Sequence, residues 1–243
     1  MKSPSIVTHV MEPVIPGTLT VMTIGNLKDD TRVFCHRLPR TEAGTPADAT
    51  TIGAMAPLEL PILQRQDECV TVDFPAADYG VFALGTTPTA DLSEAYLANR
   101  PRLDWHYPSQ ATRGREFRII GRNLVSIEHY PTRDKANPVS YGGLLKDKTR
   151  ILARRRGDQD WVPIPVIKAS AYEARLKIPG KLAAGEYEFC AHNGLGGAAG
   201  WSEPLCVHVQ PHVAWPGKVF RVDTYRRADE ASASPAINRA LAD

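Results

Sequence analysis

The sequence is short of several things, and each shortage removes a class of protein. It has four cysteines in 243 residues, too few for a disulfide scaffold. Its net charge is only +2, so no global field points to nucleic acid or to an anionic membrane surface. It has no apolar run long enough for a membrane-spanning helix, and no membrane partner is expected. The opening MKSPSIVTHVMEPVIPG carries a lysine but no continuous apolar stretch, and it does not read as a signal peptide. Long helical patterns are scarce. There is no G-x-S-x-G, no H-E-x-x-H and no pair of carboxylates on a recognisable scaffold. The chain therefore reads as a non-enzyme, with no catalytic residues and no cofactor.

What is present is an ordinary globular composition, 43% apolar and 23% charged, with 20 prolines and 18 glycines. Short alternating segments lie between turn residues such as Gly25-Asn26 and Asn193-Gly194. This pattern predicts an all-β fold of small antiparallel sandwiches. Alternation puts Phe117 and Ile119, then Tyr187 and Phe189, then Leu205, Val207 and Val209 on inward faces.

A repeat runs through the chain. PGTLTVMTIGNL (16–27) resembles RGREFRIIGRNL (113–124). DDTRVFCHRL (29–38) resembles DKTRILARRR (147–156), and VDFPAADYGVFALG (72–85) resembles LKIPGKLAAGEYEFCAHNG (176–194). Three blocks recur in one order, which predicts two copies of one β-sandwich, 1–98 and 99–212. The proline-bearing join NRPRLDWHYPSQ (99–110) leaves little slack, so a defined angle between the copies is expected. The remainder, 213–243, reads as a strand at Val219, Phe220 and Val222. A short helix capped by Ser234-Pro235 follows, with Ile237, Ala240 and Leu241 on one face.

The paired blocks resemble immunoglobulin-like domains of the IPT/TIG type, most closely through HNGLGGAAGWSEPLCVHV (192–209). Such sandwiches precede right-handed β-helices in some polysaccharide lyases and glycoside hydrolases. VFRVDTY…SPAINRALAD is similar to the first strand and cap helix of the pectate lyase superfamily, at Phe220, Val222, Tyr225, Ala236, Ile237, Ala240 and Leu241. The resemblance implies two tandem immunoglobulin-like domains and the start of a β-helix domain truncated from this chain. It implies a non-catalytic accessory region of a polysaccharide-processing protein, extracellular or periplasmic, with polysaccharide and a β-helix catalytic domain as partners. A free-standing protein–protein interaction module is the alternative.

Candidate contacts to sugar are Trp105, Tyr107, Trp201 and Trp215, with Arg150 and Arg154 of the basic run KDKTRILARRR (146–156). Aromatic faces suit the C–H faces of sugar rings, and arginines suit hydroxyls or acidic groups. Aromatics in a join also commonly staple two domains, and a basic run is commonly a solvated edge strand. GLGGAAG (194–200) fits G-x-G-x-x-A, but Trp201-Ser202-Glu203-Pro204 follows where a helix is required, so it reads as a glycine-rich loop. Cys190, His192, Cys206 and His208 form two C-x-H pairs, a weak pattern for zinc. Disulfides Cys190–Cys206 and Cys35–Cys69 are further readings of the same thiols.

Overall fold

The computed structural model describes residues 4–40, 44–46, 56–75, 77–88, 91–126, 148–211 and 237–238. The strand expected at 219–222 and Trp215 lie outside these residues. Of the expected terminal helix only Ile237 and Asn238 are described, and they are helical.

The all-β expectation holds. In the first half, strands β1 (Ile6–Val10), β2 (Leu19–Gly25), β5 (Ile62–Gln66) and β6 (Cys69–Asp73) form one sheet in the order β1-β2-β6-β5. A second sheet has β3 (Val33–Arg37), β4 (Leu58–Leu60), β7 (Phe82–Gly85) and β8 (Tyr96–Ala98) in the order β4-β3-β7-β8. The second half repeats this plan. Strands β9 (Arg102–Tyr107), β11 (Glu116–Arg122), β14 (Val166–Ala169) and β15 (Glu173–Lys177) give the order β14-β15-β11-β9. Strands β12 (Arg150–Arg155), β13 (Val162–Ile164), β16 (Gly185–His192) and β17 (Leu205–Gln210) give β17-β16-β12-β13, with the short β10 (Ala111–Thr112) added in parallel to β17.

Each sheet of the first half thus has a counterpart in the second. The correspondence extends to backbone detail. Gly17 and Gly114 open the matched strands at φ 78° and 74°, and Asn26 and Asn123 close them at φ 55° and 53°. A cis peptide bond precedes Pro13 after β1 and Pro108 after β9.

Alternation in each strand explains its burial. Along β11, Phe117, Ile119 and Gly121 face in while Glu116, Arg118 and Arg122 face out. Phe117 and Phe189 are fully buried and their rings lie 6.0 Å apart between the two sheets of the second half. Burying each such ring contributes about 1.5–3 kcal/mol. Tyr187, Val207 and Val209 join that core as expected, while Leu205 is only partly buried at its edge. The first half has its own core around Met22, Ile24, Val72, Phe74 and Phe82.

One expectation fails. The basic run does not form an edge: β12 lies between β16 and β13. Its central residues Ile151, Leu152 and Ala153 are buried, and those are the apolar positions a doubly paired strand needs.

The halves are joined by side-chain amides and a loop. Asn99, fully buried, accepts from Val14 N–H at 2.8 Å and donates to the carbonyls of Val14 and Gly80 at 2.8 and 3.0 Å. Asn193, also fully buried, donates to the carbonyls of Asn99 and Asn123 at 3.1 and 3.0 Å and accepts from Leu195 N–H at 3.2 Å. The glycine-rich stretch is a loop with a 3-10 turn at Gly197–Gly200. It inserts Leu195 among Leu38, Val81, Ala83 and Leu92 of the first half, and Gly196 N–H donates to Pro39 O at 2.9 Å. Gly196 sits at φ 95°, and a Cβ there would stand 3.1 Å from Val81 and 2.8 Å from Gly200. The glycines serve close packing at this junction.

Candidate functional site

The outward face of the β14-β15-β11-β9 sheet carries two exposed aromatics of the sequence candidates. Trp105 and Tyr107 are 60% and 59% exposed, with ring centroids 6.4 Å apart and planes tilted by 45°. Simple alternation from the inward Leu103 would bury both. A bulge prevents this. Ile120 pairs with Trp105 but Gly121 pairs with Leu103, so Asp104 is an extra residue. The bulge reverses the parity of the strand and turns Trp105 and Tyr107 outward, while His106 turns inward onto Phe117 at 5.2 Å. Gly121 is required beneath it, because a Cβ there would lie 1.9 Å from Arg102 O. The displaced Asp104 is held by Arg102 at 2.7 Å and Arg122 at 3.9 Å.

The register aligns further side chains with this pair. Trp105 lies opposite Ile120, and Ile120 opposite Glu173. Tyr107 lies opposite Arg118, Arg118 opposite Arg175, and Arg175 opposite Lys168. Arg118, Lys168, Ser170, Glu173 and Arg175 line a shallow cavity of about 240 Å³. Two exposed aromatics with adjacent hydrogen-bonding groups on a sheet face can receive a ring whose faces are apolar and whose edges are polar. Sequence reasoning missed Arg118, Lys168 and Arg175. The outward positions of Arg118 and Arg175 were legible in REFRIIGR and EARLK, but their alignment with each other and with Lys168 depends on pairing between strands distant in the chain.

The other candidates go elsewhere. Trp201 is 4% exposed and packs on the His192 ring at 4.9 Å, beneath the Arg150 guanidinium at 5.6 Å. Arg154 lies 4.6 Å over the Trp161 ring and pairs with Glu188 at 2.7 Å. Trp161, Trp201, Arg154 and Arg100 line a second cavity of about 380 Å³ at the junction of the halves. There Arg100 pairs with Glu203 at 2.9 Å. The buried Trp201 indole N–H has no hydrogen-bond partner among the described residues.

The structure does not bring Cys190, His192, Cys206 and His208 together. Cys190 is buried with Leu152 and Trp201, and burial pushes its thiol up to about 12. His192 accepts from Gly194 N–H at Nδ1, so its Nε2–H donates to Gly197 O at 2.9 Å. His208 pairs with Glu186 at 2.6 Å on the surface. All four cysteines are unbridged: Cys35 is buried on β3, Cys69 is exposed on β6 of the opposite sheet, and Cys206 is exposed on β17. Burial likewise pushes the Cys35 thiol up to about 12.

Glu12, at the end of β1, lines a groove of about 530 Å³ with Tyr96, Arg102 and Asp104. Burial raises its carboxyl above the ordinary range, against the hydrogen bond from Asn99 N–H at 2.6 Å and the charges of Arg122 and Arg102.

No family model matches the sequence, and no curated relative was found. Among solved structures, the chain is similar to a protein from Bacteroides vulgatus ATCC 8482, with 15% identity over 43% of this chain and 42% of that one and a TM-score of 0.30. It is also similar to the SGBP-B protein of the Bacteroides ovatus mixed-linkage glucan utilization locus, solved with a mixed-linkage heptasaccharide. There the identity is 16% over 91% of this chain and 49% of that one, with a TM-score of 0.30. The FN1-FN3 domains of chicken CNTN1 match at 11% identity over 86% of this chain and 67% of that one, with a TM-score of 0.27. The chain spans less than half the length of the two Bacteroides proteins. Likeness at this level carries no argument about function, and the architecture above stands on its own strands.

Proposed function

We propose that this chain is a non-catalytic carbohydrate-binding region, and that the outward face of β9 is where it meets polysaccharide. The observation that supports this reading is the exposed Trp105–Tyr107 pair, turned outward by the bulge at Asp104. Two exposed aromatic rings side by side make a contiguous apolar patch, the kind of surface that commonly receives a ligand. In this reading residues 1–98 and 99–212 are two immunoglobulin-like modules that orient a partner domain, and 213–243 is the entry to a β-helix of the pectate lyase type. The setting is extracellular or periplasmic. Arg150, Arg154 and Trp201 are assigned to the junction of the halves, away from the polysaccharide face.

A glycan microarray tests the proposal. Binding to one or more polysaccharides, weakened at least about tenfold by Trp105→Ala with the circular dichroism spectrum unchanged, is the expected result. Binding that is indifferent to both Trp105→Ala and Tyr107→Ala would remove the site. The second reading, a protein–protein module, is favoured by Leu19 and Leu63, which are 62% and 59% exposed on strands of the first half. It predicts that substitutions at Leu19 and Leu63, and not at Trp105, abolish partner capture.

A further inference from the structure

Resting on the carbohydrate reading of this face, we infer that its glycan is acidic and is gripped across the sheet by Arg118, Arg175 and Lys168. These three cations stand directly opposite one another on β11, β15 and β14, in line with Tyr107 on β9. Like charges in opposite register destabilise a sheet. The fold offsets only part of that cost. Glu173 lies 3.7 Å from Arg118, and Glu116 pairs with Arg175. Lys168 has no ion-pair partner among the described residues. Arg175 Nε is buried and makes no hydrogen bond among the described residues. The three cations of this row therefore face two carboxylates from neighbouring rows, beside the cavity that Arg118, Arg175 and Lys168 line. An anion supplied from outside would relieve the repulsion.

The row crosses four strands, a distance of about 14 Å at the usual strand spacing. It begins at the aromatic pair and ends at the unpaired ammonium. An extended polymer lying across the sheet would place rings on Trp105 and Tyr107 and an acidic substituent near Lys168. Glu116 and Glu173 distinguish the ligand class. They would repel a phosphate at every nucleotide, whereas sugar hydroxyls need such acceptors between charged substituents. This favours an acidic polysaccharide over nucleic acid.

The probes are dextran sulfate and dextran, which share a backbone and differ in charge, and oligo(dT). They are titrated by calorimetry into the whole chain at low and high salt. The inference expects dextran sulfate to bind at least about tenfold more tightly than dextran, and to weaken with salt. Lys168→Gln with Arg118→Gln should weaken it at least about fivefold, while the control Arg156→Gln, on the loop after β12, changes it less than about twofold. Equal binding of dextran and dextran sulfate, unchanged binding in the double variant, or stronger binding of oligo(dT) would each overturn the inference. A neutral glycan from the microarray that needs Trp105 but ignores Lys168 and Arg118 would overturn it and leave the carbohydrate reading standing. Loss of all glycan binding would remove both.

Discussion

The amide junction between the halves gives a stability prediction that can be worked from distances. Asn193→Ala removes one acceptor and two donated hydrogen bonds at a fully buried position. The carbonyls of Asn99 and Asn123 and the N–H of Leu195 lose those partners. Leaving a buried backbone group unpaired costs about 1–3 kcal/mol, with carbonyls at the lower end because of their second lone pair. The expected loss is therefore about 3–6 kcal/mol, a large part of the 5–15 kcal/mol typical of a folded chain. Leu195 and Gly196 hold the same junction by packing and by one hydrogen bond to Pro39, so the loss should loosen the halves from one another as well as lower the total. Urea unfolding followed by fluorescence measures both. The wild type is expected to unfold in one transition, and the variant in two, with a lower first midpoint. Asn193→Asp should be worse than alanine, since it buries a charge and cannot donate. A single transition shifted by less than about 1 kcal/mol for Asn193→Ala would refute the view that these amides couple the halves.

Burial elsewhere in the fold sets three further expected outcomes. Phe189→Ala, which empties the space against Phe117, should cost about 3–5 kcal/mol; an unchanged denaturation midpoint would show that the register of β16 is wrong. Burial raises the Glu12 carboxyl above its unfolded value, so the folded state binds that proton more tightly. The resulting penalty is full above the folded value and fades as pH falls toward the ordinary carboxylate range. Glu12→Gln should therefore raise the melting temperature at pH 7, with the gain shrinking toward pH 4, and a gain that grew on acidification would contradict the sign. A maleimide at pH 8 should label Cys69 and Cys206 quickly and reach Cys35 and Cys190 only after unfolding, because burial holds those two thiols protonated up to about 12; rapid labelling of all four by mass spectrometry would contradict the packing.

Much of the fold was legible because it is local and repeated. Alternation placed Phe117, Ile119, Tyr187 and Phe189 in the core, and three recurring blocks announced the doubled sheet order. What was not legible depends on pairing between distant segments. The run 146–156 reads as an edge from its charge alone, yet β13 pairs with its Ile151, Leu152 and Ala153, and Arg154 settles on Trp161 and Glu188. The join 99–110 suggested an aromatic staple. The staple is instead made by Asn99, Asn193 and Leu195, and nothing local marks an asparagine as buried. Trp105 and Tyr107 were identified by type, but their exposure comes from one extra residue in β9 that only the partner strand reveals. The row Arg118–Arg175–Lys168 was invisible for the same reason.

The most direct test of the carbohydrate-binding face is affinity electrophoresis of the wild type beside a Trp105→Ala, Tyr107→Ala double variant in gels containing each polysaccharide to which the protein binds. The account predicts retardation of the wild type and free migration of the variant, with equal melting temperatures. Equal retardation of both proteins would place polysaccharide elsewhere on the chain and contradict the account.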